Sequence, residues 1–162
     1  MPRARSYLRP KGQRALARKG RRPVPTHAYT IYTDGGSRGN PGPAAAGGVI
    51  VGADGSLLAE LGEYLGVATN NVAEYRALIL MLQKARELGC DPIEVRMDSE
   101  LVVRQLNGSY RVKDAKMIPL HAQATRLLRG FSASHIRHVT RNENKRADEI
   151  VNATLDAQGS LP

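Results

Sequence analysis

Residues 44–66, AAAGGVIVGADGSLLAELGEYLG, contain two strand-like runs joined by the short turn ADGS. A third run, AYTIYTD at 28–34, precedes them across GGSRGNPGP (35–43), which reads as a turn rich in glycine and proline. Three strands separated by so few residues can pair only antiparallel, because parallel neighbours need a crossover of a dozen or more residues. The chain therefore begins its fold with a meander.

The pattern then changes. NNVAEYRALILMLQKARELG (70–89) repeats apolar residues at helical spacing through Val72, Leu78, Leu82 and Ala85, with Asn70 or Asn71 as cap and Gly89 as stop. IEVRMDS (93–99) is a fourth strand, SELVVRQLNG (99–108) and MIPLHAQATRLLRG (117–130) are helices, ASHIRHVT (133–140) is a fifth strand, and KRADEIVNATLDAQ (145–158) is a last helix. Strands that arrive after helical crossovers pair in parallel. The expected fold is α/β, a mixed five-stranded sheet with helices on both faces.

The 162 residues suit one such domain, and no apolar run approaches the ~20 residues of a membrane span. A single cysteine, Cys90, excludes an internal disulfide framework and points to a reducing, cytoplasmic setting. The net charge of +9 is strongly localised. Nine of the 24 Lys and Arg residues lie within residues 1–28, and the first acid is Asp34. Residues 1–28 are expected to form a disordered basic tail that attracts polyanions, with a solubilising or targeting segment as the alternatives. Residues 29–158 form the expected folded domain, and a monomer is expected.

Four acids stand at comparable places. Asp34 closes the first strand and Asp98 the fourth, while Glu74 and Asp148 lie near the starts of two helices. If the first and fourth strands are neighbours, Asp34 and Asp98 sit side by side. Clustered carboxylates repel one another unless a cation neutralises them. Hard oxygen ligands without Cys or paired His suit Mg²⁺ or Mn²⁺. Two such ions about 4 Å apart can clamp an in-line phosphodiester displacement. Each acid taken singly also fits a turn former or a helix N-terminal residue.

The sequence around these acids resembles type 1 ribonuclease H. The matching segments are YTDGGSRGNPGPAAAGGVI (32–50), TNNVAEYRALILML (69–82), MDSELVVRQLNG (97–108) and HVTRNENKRADEIVN (138–152), in the family's order and covering residues 29–157. The resemblance implies a ribonuclease H-like fold. It implies hydrolysis of the RNA strand of RNA/DNA hybrids with two Mg²⁺ ions, giving 5′-phosphate and 3′-hydroxyl ends, with Mn²⁺ as a substitute. It implies metal ligation and catalysis by Asp34, Glu74, Asp98 and Asp148, and contacts to RNA 2′-hydroxyls from Gly36, Ser37, Gly39, Asn40, Asn70 and Asn71. Thr69 matches a residue that holds a phosphate of the DNA strand.

Three departures accompany the resemblance. The loop TRNENKRAD lacks the histidine found upstream of the last acid in many members, and Arg141 is the expected cationic stand-in. The segment 107–119 is short and carries no Trp, leaving Tyr110, Arg111, Lys113 and Lys116 as a reduced rim. Glu100 stands where a glutamine commonly touches RNA. Double-stranded RNA stays open as a second substrate. The competing expectations are a DNA nuclease of the same fold and a hybrid-binding domain without catalysis.

Overall fold

The computed structural model describes residues 28–159. The disorder expected for the tail falls on residues 1–27, outside the described residues. The meander is formed by β1 (Tyr29–Ser37), β2 (Gly42–Val51) and β3 (Leu57–Ala68). Helix α1 (Asn70–Leu88), β4 (Ile93–Met97), α2 (Glu100–Leu106), α3 (Met117–Arg129) and β5 (Ser134–His138) follow. A 3₁₀ turn (Arg141–Asn144) leads into α4 (Lys145–Gly159).

The five strands form one sheet in the order β3-β2-β1-β4-β5. β1 pairs antiparallel with β2 and parallel with β4, so the meander and the crossovers meet at the central strand. Consecutive glycines show how the layers stack. A Cβ on Gly48 would press on Met81 of α1, and one on Gly47 would press on Ile150 of α4. Successive residues of a strand point to opposite faces, so α1 and α4 cover opposite sides of the sheet. The main core lies under α1, with Ile31, Ile50, Leu78, Met81, Leu82 and Val95 all sealed from solvent. A smaller cluster of Ala45, Val151 and Leu155 lies under α4. The small residues of β2 let both helices approach its backbone. No helix among the described residues is long and apolar enough to cross a membrane.

Several local expectations are corrected. β1 does not stop at Asp34, because Gly35, Gly36 and Ser37 continue its ladder opposite Ala46, Ala45 and Ala44. The turn shrinks to residues 38–41, where Gly39 takes the left-handed φ of 88°. Pairing with β2 overrides the turn preference of these glycines. Thr69, not Asn70 or Asn71, caps α1: its backbone is extended and its hydroxyl accepts the Val72 N–H. Both asparagines are instead the first helical residues. Glu74 consequently sits in the second turn of α1. Asp98 lies one residue beyond β4, before the cap Ser99 of α2. The loop before α4 is a 3₁₀ turn, closed by a reciprocal capping box between Thr140 and Glu143.

Candidate active site

The parallel ladder between β1 and β4 ends at Thr33 and Met97. The next residue along the chain after each is an acid, so the register itself sets Asp34 beside Asp98. Glu74 reaches them from α1 because Gly35 has no side chain to hold the helix away: a Cβ there would overlap the backbone of Ala73 and Glu74. The three carboxylates each offer an oxygen within 4.8 Å of the others. Asp148 lies in the first turn of α4, close enough for its charge to act on Asp34.

The electrostatics follow from this crowding. Burial, followed by the charges of Asp98 and Asp148, pushes the Asp34 carboxyl up to about 7. Burial, followed by the charges of Asp34 and Asp98, holds the Glu74 carboxyl well above the usual carboxylate range. The Gly35 N–H partly offsets the rise at both carboxyls. One oxygen of Glu74, Oε2, is buried without a hydrogen-bond partner. A buried acceptor with no donor is unfavourable unless something positive completes it. The donor set therefore fits a hard divalent cation.

All four acids line one open groove of about 580 Å³, together with Gly36, Ser37, Asn70, Asn71 and Arg141. The groove wall is cross-linked. The Ser37 N–H and hydroxyl both donate to Asn70 Oδ1, at 2.8 and 3.1 Å, and the Asn70 N–H donates to Asn40 Oδ1 at 3.0 Å. Asn40 and Gly39 thus shape the turn beside the groove. Thr69 is occupied as the cap of α1. Glu100 is turned to Arg104 at 2.9 Å, and Arg104 lies over the Tyr110 ring. The structure does not bring Glu100 into the groove lining. Pairing with Arg104, one helical turn away, also offsets its negative charge.

Arg141 opens the 3₁₀ turn and is exposed at the groove wall. His138 is the last residue of β5, with Nε2 3.3 Å from the Asp98 carbonyl oxygen. Sequence reasoning missed Asn144. It is 1% exposed, and its Nδ2 donates to the Thr33 carbonyl at 2.9 Å and approaches Asp98 Oδ2 at 3.5 Å. The one signal in the sequence is its spacing, one helical turn before Asp148.

Comparison with known proteins agrees with this geometry. Residues 32–154 match the family described as reverse transcriptase-like. A ribonuclease HI of Halobacterium salinarum is 50% identical over 125 residues, which is 77% of this chain and 63% of that protein. The bifunctional protein Rv2228c of Mycobacterium tuberculosis is 47% identical over 128 residues, 78% of this chain and 35% of that protein. The chain thus spans less than two thirds of the length of either relative. Among solved structures, LC11-RNase H1 in complex with an RNA/DNA hybrid is similar with a TM-score of 0.78 at 44% identity, over 82% of this chain and 99% of that one.

Proposed function

The chain belongs to the type 1 ribonuclease H family, and from that premise we propose that it cleaves the RNA strand of RNA/DNA hybrids, leaving 5′-phosphate and 3′-hydroxyl ends. The observation that carries this reading is the triad of Asp34, Glu74 and Asp98 within 4.8 Å, with a buried, unpartnered oxygen on Glu74. These residues and Asp148 would hold two divalent ions, Mg²⁺ with Mn²⁺ as a substitute. When bound, such ions activate the attacking water and stabilise the leaving oxygen.

The chain's own residues do the rest. Gly36 leaves open space at the groove, since a Cβ there would meet only Asn70 Oδ1 at 3.9 Å. Ser37, Asn70 and Asn71, which line the groove, would meet the 2′-hydroxyls of an RNA strand, the group that distinguishes RNA from DNA. Gly39 and Asn40 hold the turn that presents Ser37. Thr69 fixes the start of α1 and would hold a phosphate of the DNA strand. Arg141 supplies a cation for the scissile phosphate. We assign residues 29–158 as the catalytic domain of a cytoplasmic monomer, a state that light scattering can check.

The test uses an end-labelled duplex with four ribonucleotides opposite DNA. Cuts within the ribonucleotides with Mg²⁺, abolished by EDTA, are expected. Asp98→Asn should lower kcat by on the order of 10³-fold or more while keeping hybrid affinity. In the same assay Arg141→Ala should lower kcat more than it raises KM. Hybrid binding without cleavage under Mg²⁺ or Mn²⁺ would reduce the reading to a binding domain. Double-stranded RNA in a parallel lane sets the substrate breadth.

A further inference from the structure

Asn144 lies where three of the four acid-bearing elements meet. It is the last residue of the 3₁₀ turn, one helical turn ahead of Asp148 on α4. Its carboxamide crosses to β1, where Nδ2 donates to the carbonyl of Thr33, the residue before Asp34. The same nitrogen is 3.5 Å from Asp98 Oδ2. The side chain is 1% exposed.

The chemistry explains why an amide stands here. Both groups it faces, a carbonyl and a carboxylate, only accept hydrogen bonds, so only the NH₂ end can face them. The other end, Oδ1, is then left buried without a partner. An unpartnered buried carbonyl oxygen is unfavourable for stability. A residue chosen for packing alone would be apolar. The Thr140–Glu143 capping box stiffens the turn that carries it.

We propose that Asn144 is a positioning residue for the carboxylate cluster: its carboxamide holds one oxygen of Asp98 at a fixed distance from the end of β1, leaving the other oxygen aimed at the cation site. It does not touch substrate. The inference rests on the reading of the acids as metal ligands. Residues that orient metal ligands typically change metal affinity 10–100-fold when replaced.

The experiment is Mn²⁺ binding to the full chain, followed by electron paramagnetic resonance without nucleic acid, beside thermal melts and hybrid KM. The variants are Asn144→Ala and Asn144→Leu. The leucine fills nearly the same volume and removes the unpartnered oxygen. Its expected melting temperature is within a few degrees of wild type, its Mn²⁺ affinity about 10–100-fold weaker, and its hybrid KM unchanged. Wild-type Mn²⁺ affinity in a folded Leu variant would overturn the proposal and make Asn144 a packing residue. If the wild-type chain itself binds no Mn²⁺ and cuts no hybrid, the metal-site reading fails, and this inference fails with it. If wild type cuts and the variants bind Mn²⁺ normally, only the inference fails.

Discussion

Gly35 and Ala73 meet backbone to backbone, and a Cβ on Gly35 would collide with the Ala73 carbonyl group. This close approach carries Glu74 toward Asp34. Gly36, the next residue, has open space instead.

The two glycines should therefore respond differently to the same change. Gly35→Ala forces α1 off β1 and should cost about 1–3 kcal/mol or more, with cleavage abolished because Glu74 moves. Gly36→Ala should melt like wild type and show a higher hybrid KM. Thermal melts and steady-state kinetics on both variants check this. Equal melting temperatures would remove the close approach as the cause.

The Asp34 carboxyl, pushed up to about 7 from its ordinary value of 3.8, makes the metal-free protein sensitive to pH. Between those values the folded chain holds more protons than the unfolded one. Stability contributed by this group is therefore full at low pH and disappears as pH rises through about 7. Metal-free melts should fall by several degrees from pH 5 to pH 8. Asp34→Asn should flatten the profile and raise the melting temperature at pH 8. Mg²⁺ or Mn²⁺ should stabilise the wild type at pH 8 and the variant much less. A flat wild-type profile in EDTA would contradict the proposed crowding.

The basic tail joins the domain just before Tyr29, five residues from Asp34 on β1, a distance of about 17 Å along a strand. The nine Lys and Arg residues of this segment account for the whole formal excess of +9 and would contact the phosphates of a duplex lying in the groove. Deleting residues 1–27 should raise hybrid KM several-fold at low salt. It should also reduce the slope of log KM against log salt by about 0.9 for each phosphate that the tail neutralises. Unchanged KM and slope would exclude the tail as a grip.

Much of the architecture is legible in the sequence because the fold and the acids carry local signals. The meander, the Gly89 stop and the order of elements follow from strand runs, spacing and turn residues. The side-by-side placement of Asp34 and Asp98 follows once their strands are neighbours. What stays hidden depends on tertiary packing. The glycines at 35 and 36 read as a turn until β2 supplies a partner. Thr69 takes the cap because Asn70 is already helical and its side chain bonds Ser37. Glu100 reads as an RNA-contacting position until its pairing with Arg104 is on view. Asn144 has no motif of its own, and only its two acceptors reveal it.

The central strand ends as a fork. On one side β1 stays laced to β2 through Ser37, while on the other its lacing to β4 stops at Thr33. The four residues from Asp34 to Ser37 thus belong to the sheet along one edge and face the groove along the other. The proposed RNA-reading surface is thus already paired into the sheet along its β2 edge. On the proposed function, little ordering entropy would remain to oppose binding, and the short segment at 107–119 lies outside this sheet-built part of the groove.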